Sequence, residues 1–264
     1  MPRRARLDAE LVRRGLARSR EQAVELVQAG RVRVAGTIAS KPATAVDPAA
    51  PVIVEEVTAG PGYVSRGAHK LLGALQAFPE LAVSGRRCLD AGASTGGFTE
   101  VLLRRGAREV VAVDVGYGQL AWSLRTDPRV RVLDRTNVRG ITADDVGGPV
   151  DLTVADLSFI SLTLVLPALV ACTRGDLVLM VKPQFEVGRR RVGAGGVVRE
   201  PRLRAEAVRS VAEAAARLGH GVAGVAASPL PGPAGNVEYF VWLRTDAPPA
   251  DPAAIDAAVA SGPQ

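Results

Sequence analysis

The sequence predicts an α/β fold, a doubly wound and mostly parallel sheet preceded by a small basic α+β module, and three observations carry that reading. From Arg86 onward, short valine-rich runs alternate with helical patterns, which is how strands joined by crossover helices read. Residues 1–41 hold ten basic residues against four acidic ones, a surplus of six that equals the net charge of the whole 264-residue chain. Between Ser40 and Gly62 the composition turns rich in proline, alanine and glycine, as a boundary between two such units would.

The elements follow in order. Leu7, Leu11 and Val12 mark a first helix ended near Gly15, and Ser19 with Gln22 forms a capping box for a second. That helix runs through Ala23, Val24, Leu26 and Val27 to a C-terminal Gly30. Arg31–Val34 alternates with period two, so Val32 and Val34 face inward and Arg31 and Arg33 outward. A further strand is expected at Val52–Val54, and the acidic pair Glu55-Glu56 separates the basic module from the remainder of the chain. The expected divisions are 1–59 for the basic domain, 60–63 for a linker with the boundary near Ala59–Gly62, and 64–246 for the sheet domain. Residues 247–264 are expected to be a flexible Pro/Ala-rich tail, with room for a short helix at Ile255–Ala260.

In the sheet domain, strands are expected to end at Asp90, Asp114, Leu133, Asp156 and Lys182. A glycine-rich turn and a helix through Val101, Leu102 and Leu103 follow the first of them. Another helix follows Ser161, and a long one starts at Pro201, a favoured first helical position. A last pair of extended runs surrounds Pro229–Pro233. Ligands of such a sheet bind at the C-terminal ends of its strands.

Composition excludes several classes. Two cysteines, Cys88 and Cys172, are too few for a disulfide framework and match no metal-ligand spacing, which fits a reducing cytosol and no metal site. The basic N-terminus has no apolar stretch behind it and is not a secretory signal. The most apolar segment, Leu162–Val181, is interrupted by Pro167 and Thr173–Asp176, so it reads as helix, turn and strand and not as a membrane span. No membrane partner is expected.

Only three of the thirty-three basic residues are lysines, Lys41, Lys70 and Lys182. Arginine cannot lose its proton in a protein, whereas a crowded lysine amine can, so lysines kept in an arginine-biased chain are candidates for chemistry. Lys182 ends the apolar run from Leu177, and Lys70 lies in a short run expected to precede the sheet domain's first helix. Taken singly, each could be a solvated lysine.

The turn after Asp90 lacks the dinucleotide fingerprint, because Ser94 stands where its second glycine would be. Gly92, Gly96 and Gly97 still allow a ligand close to the backbone at a helix N-terminus that suits a carboxylate. Asp114, ending the second strand, can accept hydrogen bonds from a ribose diol. A ligand with a ribose and an amino-acid carboxylate but no phosphate is S-adenosylmethionine; on spacing alone this stands level with a generic nucleotide. Candidate cofactor contacts are Asp90, Gly92, Ser94, Thr95, Gly96, Gly97, Phe98, Asp114 and Val115.

The arginine-rich surface of the first module is expected to bind a polyanion. With few aromatics, structured RNA read by shape and phosphate is favoured over base stacking. The candidates are Arg3, Arg4, Arg6, Arg18, Arg20, Arg31 and Arg33, with Arg66, Arg189 and Arg190 beside the second domain's site. On Arg6-Leu-Asp8, Leu11–Leu16, Ser19-Arg20 and Ala29–Gly36, roughly residues 5–58 resemble the S4-like RNA-binding domain.

The order Lys70, Asp156, Lys182, Glu238 resembles the catalytic tetrad of ribose 2′-O-methyltransferases of the FtsJ type. A ribose hydroxyl is a poor acid, so its proton must leave as the oxygen attacks a sulfonium methyl. The resemblance implies Lys182 as base, Asp156 as its orienter, Lys70 as electrostatic partner and Glu238 as the polar closure.

Over nearly its full length the chain resembles the TlyA/haemolysin A family, an S4-like domain fused to a Rossmann-like FtsJ-type methyltransferase. The carriers are Val64–Leu71, Asp90–Thr99, Asp134–Arg139, Asp156–Ser161, Val181–Glu186, Gly193–Arg199, and Ser228–Pro233 with Asn236–Phe240. The resemblance implies S-adenosylmethionine as cofactor, with Asn137 and Val138 on the adenine side. It further implies 2′-O-methylation of cytidine in 16S and 23S ribosomal RNA, a cytoplasmic location, ribosomal RNA or subunits as partner, and sensitivity to capreomycin and viomycin. The family name carries two rivals, a membrane-active haemolysin and a ribosome-assembly factor whose methyltransferase fold is idle.

Overall fold

The computed structural model describes residues 5–17, 20–28, 30–54 and 62–263. Arg3, Arg4, Arg18, the Ser19 cap, Glu55-Glu56 and most of the expected boundary segment lie outside them. The chain divides into two compact units, Met1–Thr58 and Ala59–Gln264.

In the first unit, β1 (Ala5–Arg6) leads into α1 (Leu7–Arg13), α2 (Arg20–Gln28), β2 (Val32–Val34), β3 (Thr37–Ile38), β4 (Ala45–Val46) and β5 (Val52–Val54). Leu7 and Leu11 lie one helical turn apart and are fully buried, packing with Ala23, Val27 and Val32 into one small core. After α2 the N–H of Gly30 bonds Val27 O and that of Arg31 bonds Leu26 O, a Schellman closure that requires the left-handed φ of +68° at Gly30. β2 pairs antiparallel with β3 and β5, so Val32 meets Val54 on the core side while Arg33 lies between Ile38 and Ile53 on the outer side.

The second unit runs α3 (Gly67–Ala77), β6 (Arg87–Ala91), α4 (Gly97–Arg104), β7 (Glu109–Val113), α5 (Trp122–Arg125), β8 (Val130–Leu133) and β9 (Val150–Ala155). It continues with α6 (Leu162–Cys172), β10 (Thr173–Val181), α7 (Pro183–Glu186), α8 (Pro201–Arg217), β11 (Gly221–Ala227), β12 (Tyr239–Arg244) and α9 (Pro252–Ser261). Among the described residues the strands form one seven-stranded sheet of order β11-β12-β10-β9-β6-β7-β8, parallel except where β12 runs against β10 and β11. Strand periodicity splits the core in two. Leu177, Leu179 and Val181 face α6, α8 and α9, whereas Val178 and Met180 face α3 and α4.

Three expectations are corrected. The turn read at Thr173–Asp176 is the first part of β10, which starts directly after α6. Its polar residues serve a register shift between Thr173 and Asp176, where a Cβ on Gly175 would come within 2.3 Å of the Asp151 carbonyl oxygen. Lys70 lies inside α3, in its first turn, and not ahead of the helix. The expected flexible tail is docked: the short helix allowed for at Ile255–Ala260 lies within α9, which is capped by the Asp251 side chain on the Ala253 N–H at 2.9 Å and buries Ile255, Ala258 and Val259 in the core. An i, i+3, i+4 stripe is enough to dock a helix of otherwise small residues.

Candidate active site

Parallel strands bring their C-terminal ends to one edge, and the candidate residues gather there. Asp90 is the penultimate residue of β6, Asp114 follows β7, Asn137 and Val138 follow β8, Asp156 follows β9 and Lys182 follows β10. Glu238 comes before β12, yet it reaches the same edge because β12 is antiparallel to β10, with Val181 opposite Tyr239. Lys70 arrives from α3, which packs against α4 so closely that a Cβ on Gly97 would sit 2.8 Å from the Ala68 nitrogen.

Two lysine–carboxylate pairs result. Lys182 Nζ lies 2.6 Å from Asp156 Oδ1 and donates to Ser158 Oγ at 2.9 Å. Lys70 Nζ donates to Glu238 Oε2 at 2.5 Å. Both amines are buried, and Glu238 is 1% exposed under the Pro229–Pro233 loop, where a Cβ on Gly232 would come 2.6 Å from its Oε1. Burial alone would raise the Asp156 carboxyl, but the nearby ammonium groups of Lys182 and Lys70 outweigh it and hold the group below the usual carboxylate range. The tetrad therefore pairs two basic with two acidic side chains largely out of water.

The glycine turn lies directly over this end of the sheet. Gly92 has φ +88°, and a Cβ there would meet the backbone oxygen of Asp156 at 2.6 Å. The Asp114 carboxylate fixes the turn by accepting from the Ser94 N–H at 2.8 Å and the Gly116 N–H at 2.7 Å. Thr95 and Ser94 are exposed, and Gly96 caps α4 in a left-handed conformation. Asp90 has no exposed surface; its Oδ2 accepts from Thr99 Oγ1 at 2.6 Å, while Oδ1 is buried without a hydrogen-bond donor. Burial pushes its carboxyl up to about 7 against the opposing hydrogen bonds of Thr99.

These features fit S-adenosylmethionine. A buried, unsatisfied carboxylate oxygen suits an ammonium group, the strand-end Asp114 suits a ribose diol, and the head of α4 suits a carboxylate. Not every cofactor candidate faces that space. The Phe98 ring is 4% exposed and packs on Phe240 at 6.1 Å between centroids, so its side chain belongs to the core. Val138 is buried, Val115 is exposed, and the Asn137 side chain accepts from the Arg139 N–H at 3.0 Å.

The RNA candidates divide as well. Arg6 and Arg20 both bond the buried Asp8, at 2.7 and 3.3 Å, which binds part of their charge within the first unit. Arg33 donates to Gly36 O at 3.1 Å, and Arg31 is half-buried. Arg66, Arg189 and Arg190 are exposed, while the neighbouring Arg191 pairs with Glu206.

Sequence reasoning missed three residues. Ser158 bonds the Lys182 amine. Phe159 is 74% exposed at φ +66°, a strained conformation for an aromatic residue, with its ring 5.4 Å from that of Phe185. Glu186 links the turns after β9 and β10. All three stand in motifs already singled out, but their roles depend on backbone angles and contacts that residue type does not reveal.

The FtsJ-like methyltransferase family matches residues 63–245, and the S4 domain matches residues 5–52. The chain is 67% identical over 248 residues to the 16S/23S rRNA (cytidine-2'-O)-methyltransferase TlyA of Mycobacterium tuberculosis, covering 93% of this chain and 91% of that protein. It is 35% identical to the Hemolysin A of Brachyspira hyodysenteriae, covering 89% and 98%. A Streptococcus thermophilus structure bearing the hemolysin name superposes with a TM-score of 0.73 at 40% identity, covering 98% of this chain and 96% of that one.

Proposed function

The chain belongs to the FtsJ-like methyltransferase family, with an S4 domain ahead of the catalytic one, and from that premise we propose how it works: as a ribosomal RNA cytidine-2′-O-methyltransferase acting on 16S and 23S RNA. The observation that carries the reading is the pair of buried lysine–carboxylate contacts beside the glycine turn. When bound, S-adenosylmethionine supplies a methyl group on a positively charged sulfur, open to attack by an oxygen nucleophile. Asp90, Asp114 and the Gly92–Gly97 turn would hold it, with Asn137 and Val138 on the adenine side.

Lys182 acts as base. Having first given up to solvent the proton it carries beside Asp156, its amine takes the ribose 2′-hydroxyl proton on Nζ as the oxygen attacks, and it ends again as the ammonium that Asp156 and Ser158 are placed to receive. Lys70, held by Glu238, adds positive potential over the oxygen as it loses its proton. Arg66, Arg189 and Arg190 serve the RNA near the site, and the S4 domain's arginines, Arg3, Arg4 and Arg18 among them, serve it elsewhere. A ribosomal substrate gives the protein a cytoplasmic setting.

Membrane lysis is not favoured, because the FtsJ-like methyltransferase family matches residues 63–245 and the 67% identical relative is named an rRNA methyltransferase. The assembled tetrad weighs equally against an idle methyltransferase fold. The test is to map methylated riboses in 16S and 23S RNA from cells with and without this protein. Loss of cytidine 2′-O-methyl marks on its removal is expected, and an unchanged map would sink the reading.

A further inference from the structure

The turn after Asp156 carries more than that carboxylate. Ser158 bonds the Lys182 amine, Phe159 is held at φ +66°, and Ser161 caps α6 by accepting from the Thr163 N–H at 3.2 Å. Such a turn persists only where its surroundings over-determine it. Its far end is fixed from α7, which follows the neighbouring strand β10. Glu186, closing α7 four residues beyond Lys182, accepts from Ser161 Oγ on Oε2 at 2.5 Å and from the Leu162 N–H on Oε1 at 2.8 Å. Phe185 packs on Phe159 beside it. The carboxyl is partly buried, and burial raises it above its ordinary range although Ser161 and Leu162 oppose that shift. A partly desolvated carboxylate spending both oxygens on one loop is a costly way to cap a helix that Ser161 already caps.

We infer that Glu186 is a positioning residue for methyl transfer: by pinning Ser161 and Leu162 it holds the Asp156–Ser161 turn, and with it the carboxylate and hydroxyl facing Lys182, in register with the amine. The inference rests on the reading of Lys182 as base. Glu186 touches none of the reacting groups. It acts through the turn, and a displacement of the order of an ångström at a general base slows a reaction by up to about 100-fold.

The test uses the full chain, with single-turnover transfer to ribosomal RNA, separate affinities for S-adenosylmethionine and RNA, and amide hydrogen exchange over residues 157–162. Glu186→Ala is expected to slow transfer about 10- to 100-fold, with both affinities within about twofold of wild type. Exchange should quicken at 157–162 and stay unchanged in β9 and β10. Glu186→Gln keeps an acceptor for the Leu162 N–H and an amide able to donate to Ser161 Oγ, so it should transfer within about threefold of wild type. Should the alanine variant not fold, Glu186→Asp, one methylene shorter and still charged, is expected to show the same slowing. The inference is overturned if the shortened variants transfer at the wild-type rate, if cofactor affinity falls in step with the rate, or if Glu186→Gln is as slow as Glu186→Ala. If wild type itself transfers no methyl group, the proposed function fails. The exchange measurement then decides the latch alone: faster exchange at 157–162 sustains it and unchanged exchange removes it.

Discussion

At the scale of single residues, Asp90 and Lys182 show how burial prepares a group for a partner. Asp90 is an acid whose folded pKa, about 7, lies above the ordinary value of ~3.9, so the fold favours its protonated form below about pH 7. By linkage its contribution to stability is greatest at low pH and is lost as pH rises toward about 7. An ammonium group bound against Oδ1 reverses that preference. Cofactor affinity is therefore expected to rise between about pH 6 and 8, with proton release measurable by calorimetry in buffers of different ionisation enthalpy; a flat affinity profile with no proton release would exclude it. For Lys182, replacement by arginine keeps the charge and removes the ability to deprotonate. Lys182→Arg is expected to cut transfer by about 10²- to 10⁴-fold while cofactor and RNA affinities hold, and near-normal turnover would refute the assignment. The scarcity of lysine makes Lys70 and Lys182 legible in the sequence. Ser158 and Glu186 are not, because a serine and a glutamate within a motif show no role by residue type until the turn that joins them is folded.

At the scale of elements, alternation carries most of the information: strands buried on both faces read as continuous apolar runs, and β6, β7, β9 and β10 stand within a few residues of where those runs lie. Thr173–Asp176 reads as a turn because a strand crossing a register shift uses the same glycine and polar residues as a loop. The helix α9 is hard to read for a related reason: alanine and proline dominate it, and only Ile255 and Val259 announce a buried face. Its docking has an energetic consequence. Ile255, 1% exposed, sits in the large core, so Ile255→Ala is expected to destabilise the second unit by about 2–4 kcal/mol. Chemical denaturation checks this, and a loss below about 0.5 kcal/mol would show α9 contributes little.

At the scale of the whole molecule, the basic charge counted in the sequence is not all available to RNA. Asp8 is held down to about 2 by its hydrogen bond to Arg6, with Arg20 adding to it, and Glu10 to about 2 by Arg13 and then Arg14. Both folded values lie below the ordinary carboxylate range. Their stabilisation is thus complete above that range and is lost as pH falls toward about 2. Acid titration followed by exchange in α1 should show this loss, and Asp8→Asn should blunt it; equal acid sensitivity in the variant would contradict the assignment. The outer face of β2, where Arg33 lies between Ile38 and Ile53, carries the test of the proposed RNA contact. Arg31→Ala with Arg33→Ala is expected to weaken RNA binding and flatten its dependence on log salt by up to about two units, with cofactor affinity unchanged; an unaltered slope would move the RNA face elsewhere. The sheet order holds a last consequence. β12 comes after both β10 and β11 in the chain yet lies between them, and Glu238 immediately precedes it. During synthesis those two strands emerge before their common partner exists, and the fully buried Leu177–Leu179 stretch of β10 waits with an open edge. Insertion of β12 closes that edge and delivers Glu238 to Lys70 in the same step. A chain stalled before it is an aggregation hazard for the chaperones, and it lacks the Lys70–Glu238 pair.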